Sequence, residues 1–192
     1  MLSIEVEKFI RTLETIQDYH RIDGNHGQRT ADIAIEIGKR LNHGQHLDKD
    51  QLKLLEYAAR IHDIGRVGID NHLMAKPGEL TQSQFAAMRE HSQIGYDFLL
   101  HSGLPYEITG TVLYHHEHWD GSGYPEGLQG LDIPLFSRII CIADCYDGIT
   151  SERPYHKSTV IEVALDEMNK VISWFDPELF AIFLSVLREA RL

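Results

Sequence analysis

From Tyr114 to Gly130 the chain reads YHHEHWDGSGYPEGLQG: His115, His116 and His118 crowd together with Glu117 and Asp120, and glycine and proline follow at once. Residues of the same chemical kind recur elsewhere. His26 stands in GNHGQR, the doublet His62-Asp63 in RIHDIGR, His91 in REHSQIG and Asp144 in CIADCYD. Imidazole and carboxylate donors without thiolate suit iron, manganese, cobalt, nickel or zinc. Adjacent residues on a helix point roughly 100° apart. The two doublets are therefore expected to serve two neighbouring ions, or one ion near a frayed helix end. The Asp63 carboxylate has two oxygens and can bridge two cations. Gly65, just beyond it, is expected to end the helix and leave the doublet facing a cavity. His20, His43, His46, His72 and His101 lack any partner pattern and read as surface or satisfied core positions, and His118 as a surface or supporting one. Cys141 and Cys145, four apart, read as core residues rather than as a disulfide or metal ligands.

Ligands so far apart in sequence can meet only if several helices face one interior site, as in carboxylate-and-histidine bundles. The pattern is helix after helix. TADIAIEIGKRL puts Thr30, Ala34, Ile37 and Leu41 on one face. Asp48 and Gln51 form a capping box ahead of the next helix, with Leu47 and Leu52 as its hydrophobic staple. Thr81 and Gln84 repeat the device, with Leu80 placed to meet Phe85. Further helices are expected from near Pro105, through the strongly apolar IPLFSRIICIADCYDGIT, through Ile161, Ala164, Met168 and Val171, and from Asp176 as cap with Pro177 first in the helix. No convincing strand period appears. The fold class is all-α, a single helical bundle: residues 1–22 are a helix that packs on the domain or links it to a partner, and residues 23–192 are the domain itself. The irregular stretches 66–80 and 120–134 each follow a histidine cluster, as chemistry-bearing loops on a rigid scaffold do.

With 192 residues and 43% hydrophobic content the chain can build one real core. No apolar run is long enough for a transmembrane helix, and the N-terminus has no signal-peptide pattern, so a cytoplasmic location is the default and no membrane partner is expected. The formal net charge is -11, and no basic stripe is visible to bind a nucleic acid polymer. An anionic substrate would be repelled at long range unless metal ions supply positive charge locally.

HDIGR, HSQIG, HHEHWDGSGYP and IADCYDGITSERPY together resemble the HD-GYP domain, a branch of the HD phosphohydrolase superfamily; KPGELT and FDPELF add to the likeness, which runs from about His26 to Asp176. The resemblance implies a bacterial all-helical phosphodiesterase that hydrolyses the second messenger cyclic di-GMP to pGpG, and in some cases to GMP, with water activated by a pair of divalent ions, iron or manganese. It implies one ion held by His26, His62, Asp63 and Asp144, and a second by His91, His115 and His116 with Asp63 shared. Asp147 is then a supporting or helix-capping residue. The third-metal glutamate of some members falls on Ile22, beside Asp23, so a binuclear site is expected. Arg66 stands where the family usually has a phosphate-binding lysine; it keeps the charge but changes the shape. Arg153 matches a phosphate-binding arginine, and His156 and Lys157 fall where a further basic residue is common, with Lys157 taken as substrate-binding. The Gly123-Tyr124-Pro125 loop would wall the cavity, border the nucleotide and contact a diguanylate cyclase; a regulatory domain is a further candidate partner. Glu117 and Asp120 would orient ligand imidazoles or the loop. Two alternatives remain open: a hydrolase of another cyclic dinucleotide such as cyclic GMP-AMP, and a non-catalytic module that binds nucleotide or a cyclase.

Overall fold

The computed structural model describes residues 4–20, 24–41, 46–151 and 161–190. Among the described residues there are ten α-helices, three short 3₁₀ turns and no strand. Helix α1 (Ile4–Tyr19) turns Ile10, Leu13 and Gln17 inward. It lies against α3 (Lys49–Ile61), and Glu14 pairs with Arg60 across that contact. Helix α2 (His26–Lys39) runs beside α3 and α8 (Leu135–Thr150), with Thr30, Ala34, Ile37 and Leu41 buried as their spacing requires. α8 is the central helix. Its first two turns, from Phe136 to Ala143, are buried throughout, including the polar Ser137 and Arg138.

Local signals set where several helices begin. The Asp48 carboxylate accepts the Gln51 amide at 2.8 Å while the Gln51 side chain accepts the Asp48 amide at 2.9 Å. Two of the orphan donors at the start of α3 are thereby satisfied. Leu47 and Leu52 close on Gly38 of α2, each with a methyl within 3.2 Å of the place a Cβ would take there. Thr81 and Gln84 make the second box at the start of α5 (Gln82–Arg89). Phe85 is 47% exposed, and its ring lies under the Arg89 guanidinium. The short α4 (Asn71–Met74) opens on Asp70, whose carboxylate accepts the His72 amide. Helix α7 (Tyr106–Tyr114) begins at Pro105. Helix α9 (Ile161–Lys170) buries Ala164 and Met168. At α10 (Pro177–Ala190), one oxygen of Asp176 accepts the Glu178 amide at 2.9 Å, and the other takes Arg138 at 2.5 Å. That buried pair ties the start of α10 to α8. Cys141 and Cys145 are both free thiols. No helix among the described residues is long and apolar enough to cross a membrane.

Gly65 does a different job from the one its position in the sequence suggests. α3 ends earlier, at Ile61, and the chain passes through His62 and Asp63 into a 3₁₀ turn, Ile64–Gly68. The backbone at Gly65 is not left-handed, so it is no helix stop. Its importance is steric. A Cβ there would stand 1.9 Å from the His91 carbonyl oxygen and 2.4 Å from the Gly95 amide. Helix α6 (His91–Leu99) therefore rests directly on this turn, and Gly95 lets it do so from the other side. Replacing Gly65 by Ala should destabilise the fold by roughly 1–3 kcal/mol or more through overpacking. Urea unfolding reads this out; a midpoint equal to wild type would show that α6 does not depend on the close approach.

Candidate metal centre

The residues singled out in the sequence sit mostly at helix ends. His26 and His91 are the first residues of α2 and α6, His62-Asp63 directly follow α3, and His115-His116 directly follow α7. Asp144 alone projects from mid-helix, in α8. Three imidazoles use one device to fix their orientation. Nδ1 of His62 meets the carbonyl of Ala59 at 2.7 Å, that of His91 the carbonyl of Met88 at 2.7 Å, and that of His115 the carbonyl of Val112 at 2.9 Å. A carbonyl oxygen only accepts, so Nδ1 carries a proton, and in the neutral ring Nε2 is left with its lone pair. His26 is oriented differently: its Nδ1 meets Asp147 at 2.5 Å. Asp147 is in turn gripped by Arg29, at 2.6 and 3.0 Å, and by the Ser151 hydroxyl at 2.8 Å. His116 has no such bond; its ring stacks on Tyr124 with centroids 4.8 Å apart.

The free donor atoms converge in two sets. Asp63, His91, His115 and His116 each offer one ligand atom within 4.8 Å of the others, and so do His26, His62 and Asp144. Asp63 lies between the sets. Its Oδ1 is 3.4 Å from His91 Nε2 and 3.8 Å from His115 Nε2, while Oδ2 is 3.5 Å from His62 Nε2 and 3.8 Å from His26 Nε2. Asp144 is 2.9 Å from His26 Nε2 and 3.7 Å from His62 Nε2.

Two features test whether cations fit this arrangement. Nε2 of His91 and Nε2 of His115 face each other at 3.2 Å. With both protons on Nδ1, two lone pairs point together there, a repulsion that a cation between them removes. Nε2 of His62 and Oδ2 of Asp63 are buried with no hydrogen-bond donor. Buried polar atoms rarely go unpartnered, and these two lie where an ion would satisfy both.

The electrostatics divide the cluster. Burial, with the neighbouring imidazoles, holds His115 well below the usual histidine range. Burial likewise lowers His91 and takes His116 down to about 3. In this half burial favours the neutral imidazole. For His26, burial is outweighed by hydrogen bonds to Asp144 and Asp147, which hold it at about 10. For His62, burial is outweighed by Asp63 and Asp144, and its value rises. Burial would raise both carboxylates, but Arg66 and the imidazoles keep Asp63 below its ordinary range, and His26 and His62 keep Asp144 well below it.

Arg66 pairs through Nε with Asp63 Oδ1 at 2.9 Å. The glycine-rich loop is clamped. A Cβ on Gly123 would fall 2.3 Å from the His118 amide, and the Tyr124 amide donates to the His116 carbonyl at 3.1 Å. Glu117, buried, accepts the amides of Glu126, Gly127 and Leu128 at 2.7 to 3.0 Å. Asp120 accepts from Ser122 and Ser173. Both acids thus hold the loop, and neither bonds a ligand imidazole. His118 stacks on Trp174 at 4.1 Å, away from the cluster. His20, His46, His72 and His101 are exposed. Ile22, Asp23, His43, Arg153, His156 and Lys157 lie outside the described residues. Arg29 went unread in the sequence, although it stands one turn beyond His26 on the same helix.

Comparison with known proteins places the chain among the following relatives. The family model described as "HD domain" matches residues 11–179. A cyclic di-GMP phosphodiesterase of Thermotoga maritima is 38% identical over 190 residues, covering 96% of this chain and 50% of that protein. The 3'3'-cGAMP-specific phosphodiesterase 2 of Vibrio cholerae is 35% identical over 170 residues, covering 85% of this chain and 31% of that one. The chain thus spans half or less of the length of these relatives. Among solved structures, a cyclic GMP-AMP-specific phosphodiesterase of V. cholerae superposes with a TM-score of 0.68 at 24% identity, over 95% of this chain and 49% of that one. The HDG"Y"P protein Bd1817 of Bdellovibrio bacteriovorus gives 0.67 at 18% identity, over 85% and 51%. At such identities these two speak for the fold alone.

Metal uptake should release protons. To ligate through Nε2, His26 must lose the proton that it holds below a pH of about 10. Affinity for a divalent ion should therefore increase from about pH 6.5 to about pH 8.5, because rising pH weakens the competing proton. Calorimetric titration with manganese in buffers of different ionisation enthalpy measures the released protons; none released would contradict the assignment of His26.

Proposed function

The chain belongs to the HD domain family, in its HD-GYP branch, and from that premise we propose that it is a metal-dependent phosphodiesterase hydrolysing cyclic di-GMP to pGpG, with GMP as the further product that the product analysis below looks for. The observation that carries the proposal is the carboxylate of Asp63 standing between two sets of inward-facing donors. In this reading His26, His62, Asp63 and Asp144 hold one divalent ion, and Asp63, His91, His115 and His116 hold the other, with iron or manganese as the metals that suit a thiolate-free set. When bound, such ions lower the pKa of a water molecule and offset charge on phosphate.

The chain's own residues supply orientation and charge. The Ala59, Met88 and Val112 carbonyls keep three Nε2 lone pairs aimed inward, so the donors are placed before any ligand arrives. Arg66, about one-fifth exposed beside Asp63, binds a non-bridging phosphate oxygen, and the family resemblance assigns Arg153 and Lys157 to the same task. The Tyr124 ring covers His116 and limits water at that ligand. Attack of water on phosphorus then breaks the bond to the ribose 3′ oxygen and leaves a linear dinucleotide with a 5′ phosphate. Residues 23–192 form the hydrolytic unit. A cytoplasmic bacterial setting, with a diguanylate cyclase or a regulatory domain as partner through the loop, belongs to the same proposal.

The deciding experiment is elemental analysis of protein purified without oxygen, followed by product identification with cyclic di-GMP and with cyclic GMP-AMP. Cleavage chiefly of cyclic GMP-AMP would reassign the substrate. Bound metal with no cleavage of either would leave a binding module. His62→Ala and Asp63→Ala should each lose bound metal and lower hydrolysis by at least about 100-fold, the upper range for residues that merely support a metal ligand. Full turnover by either variant without metal would refute the scheme.

A further inference from the structure

Next to the histidine and aspartate cluster a cavity of about 850 Å³ opens between α5, α6 and the loop. Helix α5 contributes Gln82, Phe85, Ala86 and Arg89. Helix α6, with the residue before it, contributes Glu90, Gln93, Ile94 and Asp97. Each set follows the spacing that lines up one face of a helix, so two stripes line the same space, and Tyr124 and Pro125 complete the wall. The volume lies within the range of small-molecule sites.

Arg89 is the unusual member. Its guanidinium lies over the Phe85 ring at 4.5 Å and over the Tyr124 ring at 4.7 Å. Stacking of this kind uses the face of the guanidinium and leaves its in-plane N–H donors available. Both Arg89 and Glu90 beside it are exposed. Asp97 accepts from Gln93 at 2.8 Å. One cavity therefore offers a guanidinium fork braced by two rings, with carboxylate acceptors beside it. The same Tyr124 ring stacks on His116, so the cavity is one side chain away from the ligand set.

Guanine suits that combination. Guanine carries acceptors at O6 and N7, the usual bidentate partners of arginine. Its N1–H and N2 amino group are donors that suit a carboxylate. Adenine would turn its N6 amino donor toward the guanidinium, donor against donor. We propose that this cavity seats a guanine base of the substrate, with Arg89 reading O6 and N7 and Glu90 accepting from the donor edge. The inference rests on the cyclic dinucleotide reading: a phosphate at the cluster carries a base with it, and Tyr124 belongs both to the cavity wall and to the ring stack on His116.

The test compares wild type, Arg89→Ala, Arg89→Lys and Glu90→Gln, all manganese-loaded, on cyclic di-GMP and cyclic di-AMP. Calorimetry with GMP and AMP is run beside it. Arg89→Ala should raise the KM for cyclic di-GMP at least tenfold, with a smaller change in kcat, and should erase the preference for guanine over adenine. Arg89→Lys should not rescue it, because an ammonium lacks the planar fork. Glu90→Gln should weaken the same preference. An unchanged KM in Arg89→Ala, or an equal loss on both substrates, would overturn the guanine seat while leaving the hydrolase reading intact. If wild type cleaves no cyclic dinucleotide, the hydrolase reading fails. In that case tighter binding of GMP than AMP, lost in Arg89→Ala, still supports the seat, and equal binding of the two nucleotides overturns it.

Discussion

A carboxylate with almost no access to solvent, Asp63, sits between two groups of imidazoles, and the rest of the structure is arranged around that burial. An isolated carboxylate is costly to bury unless positive charge and hydrogen bonds compensate it. Here Arg66 supplies one ion pair, and the remaining oxygen has no donor at all. Two metal ions would remove the deficit at once. They would also relieve the close approach of the His91 and His115 ring nitrogens. The hydrogen bonds that lock Nδ1 come from backbone carbonyls one turn earlier, so the orientation of each ring is inherited from the end of a helix. Rigid elements place the donors, and no flexible loop has to find them.

Much of this was legible from local rules. Capping boxes at Asp48 and Thr81, and the cap at Asp176, mark where helices begin because the partners lie three residues apart or less. The segments that carry the clustered donors were legible because histidine and aspartate doublets are hard to explain as surface or core. What was not legible depended on which helices meet. Gly65 reads as a helix stop, yet it serves a contact with α6, far along the chain. Glu117 and Asp120 were open to two roles, and only the path of the loop decides that they bind its own amides and hydroxyls. Arg29 is one turn from His26, but its carboxylate partner, Asp147, comes from α8. Arg89 gains its two aromatic neighbours from α5 and the loop together.

The two halves of the centre are supported unequally. On one side His26 is braced by a chain of three groups, Asp147, Arg29 and Ser151. On the other, His116 relies on the face of Tyr124. The first support is charged and directional, the second apolar and broad. Tyr124 thereby belongs to two environments, since its ring also carries Arg89. One side chain thus relates the ligand set to the neighbouring cavity.

The position of Glu117 has a wider consequence. It follows directly on His115 and His116, and its carboxylate takes three successive amides from the far side of the loop. The loop therefore cannot swing outward without dragging two imidazoles with it. It behaves as a lintel rather than a door. The ordering entropy of this wall is met during folding, so none of it is left to be lost when a ligand arrives.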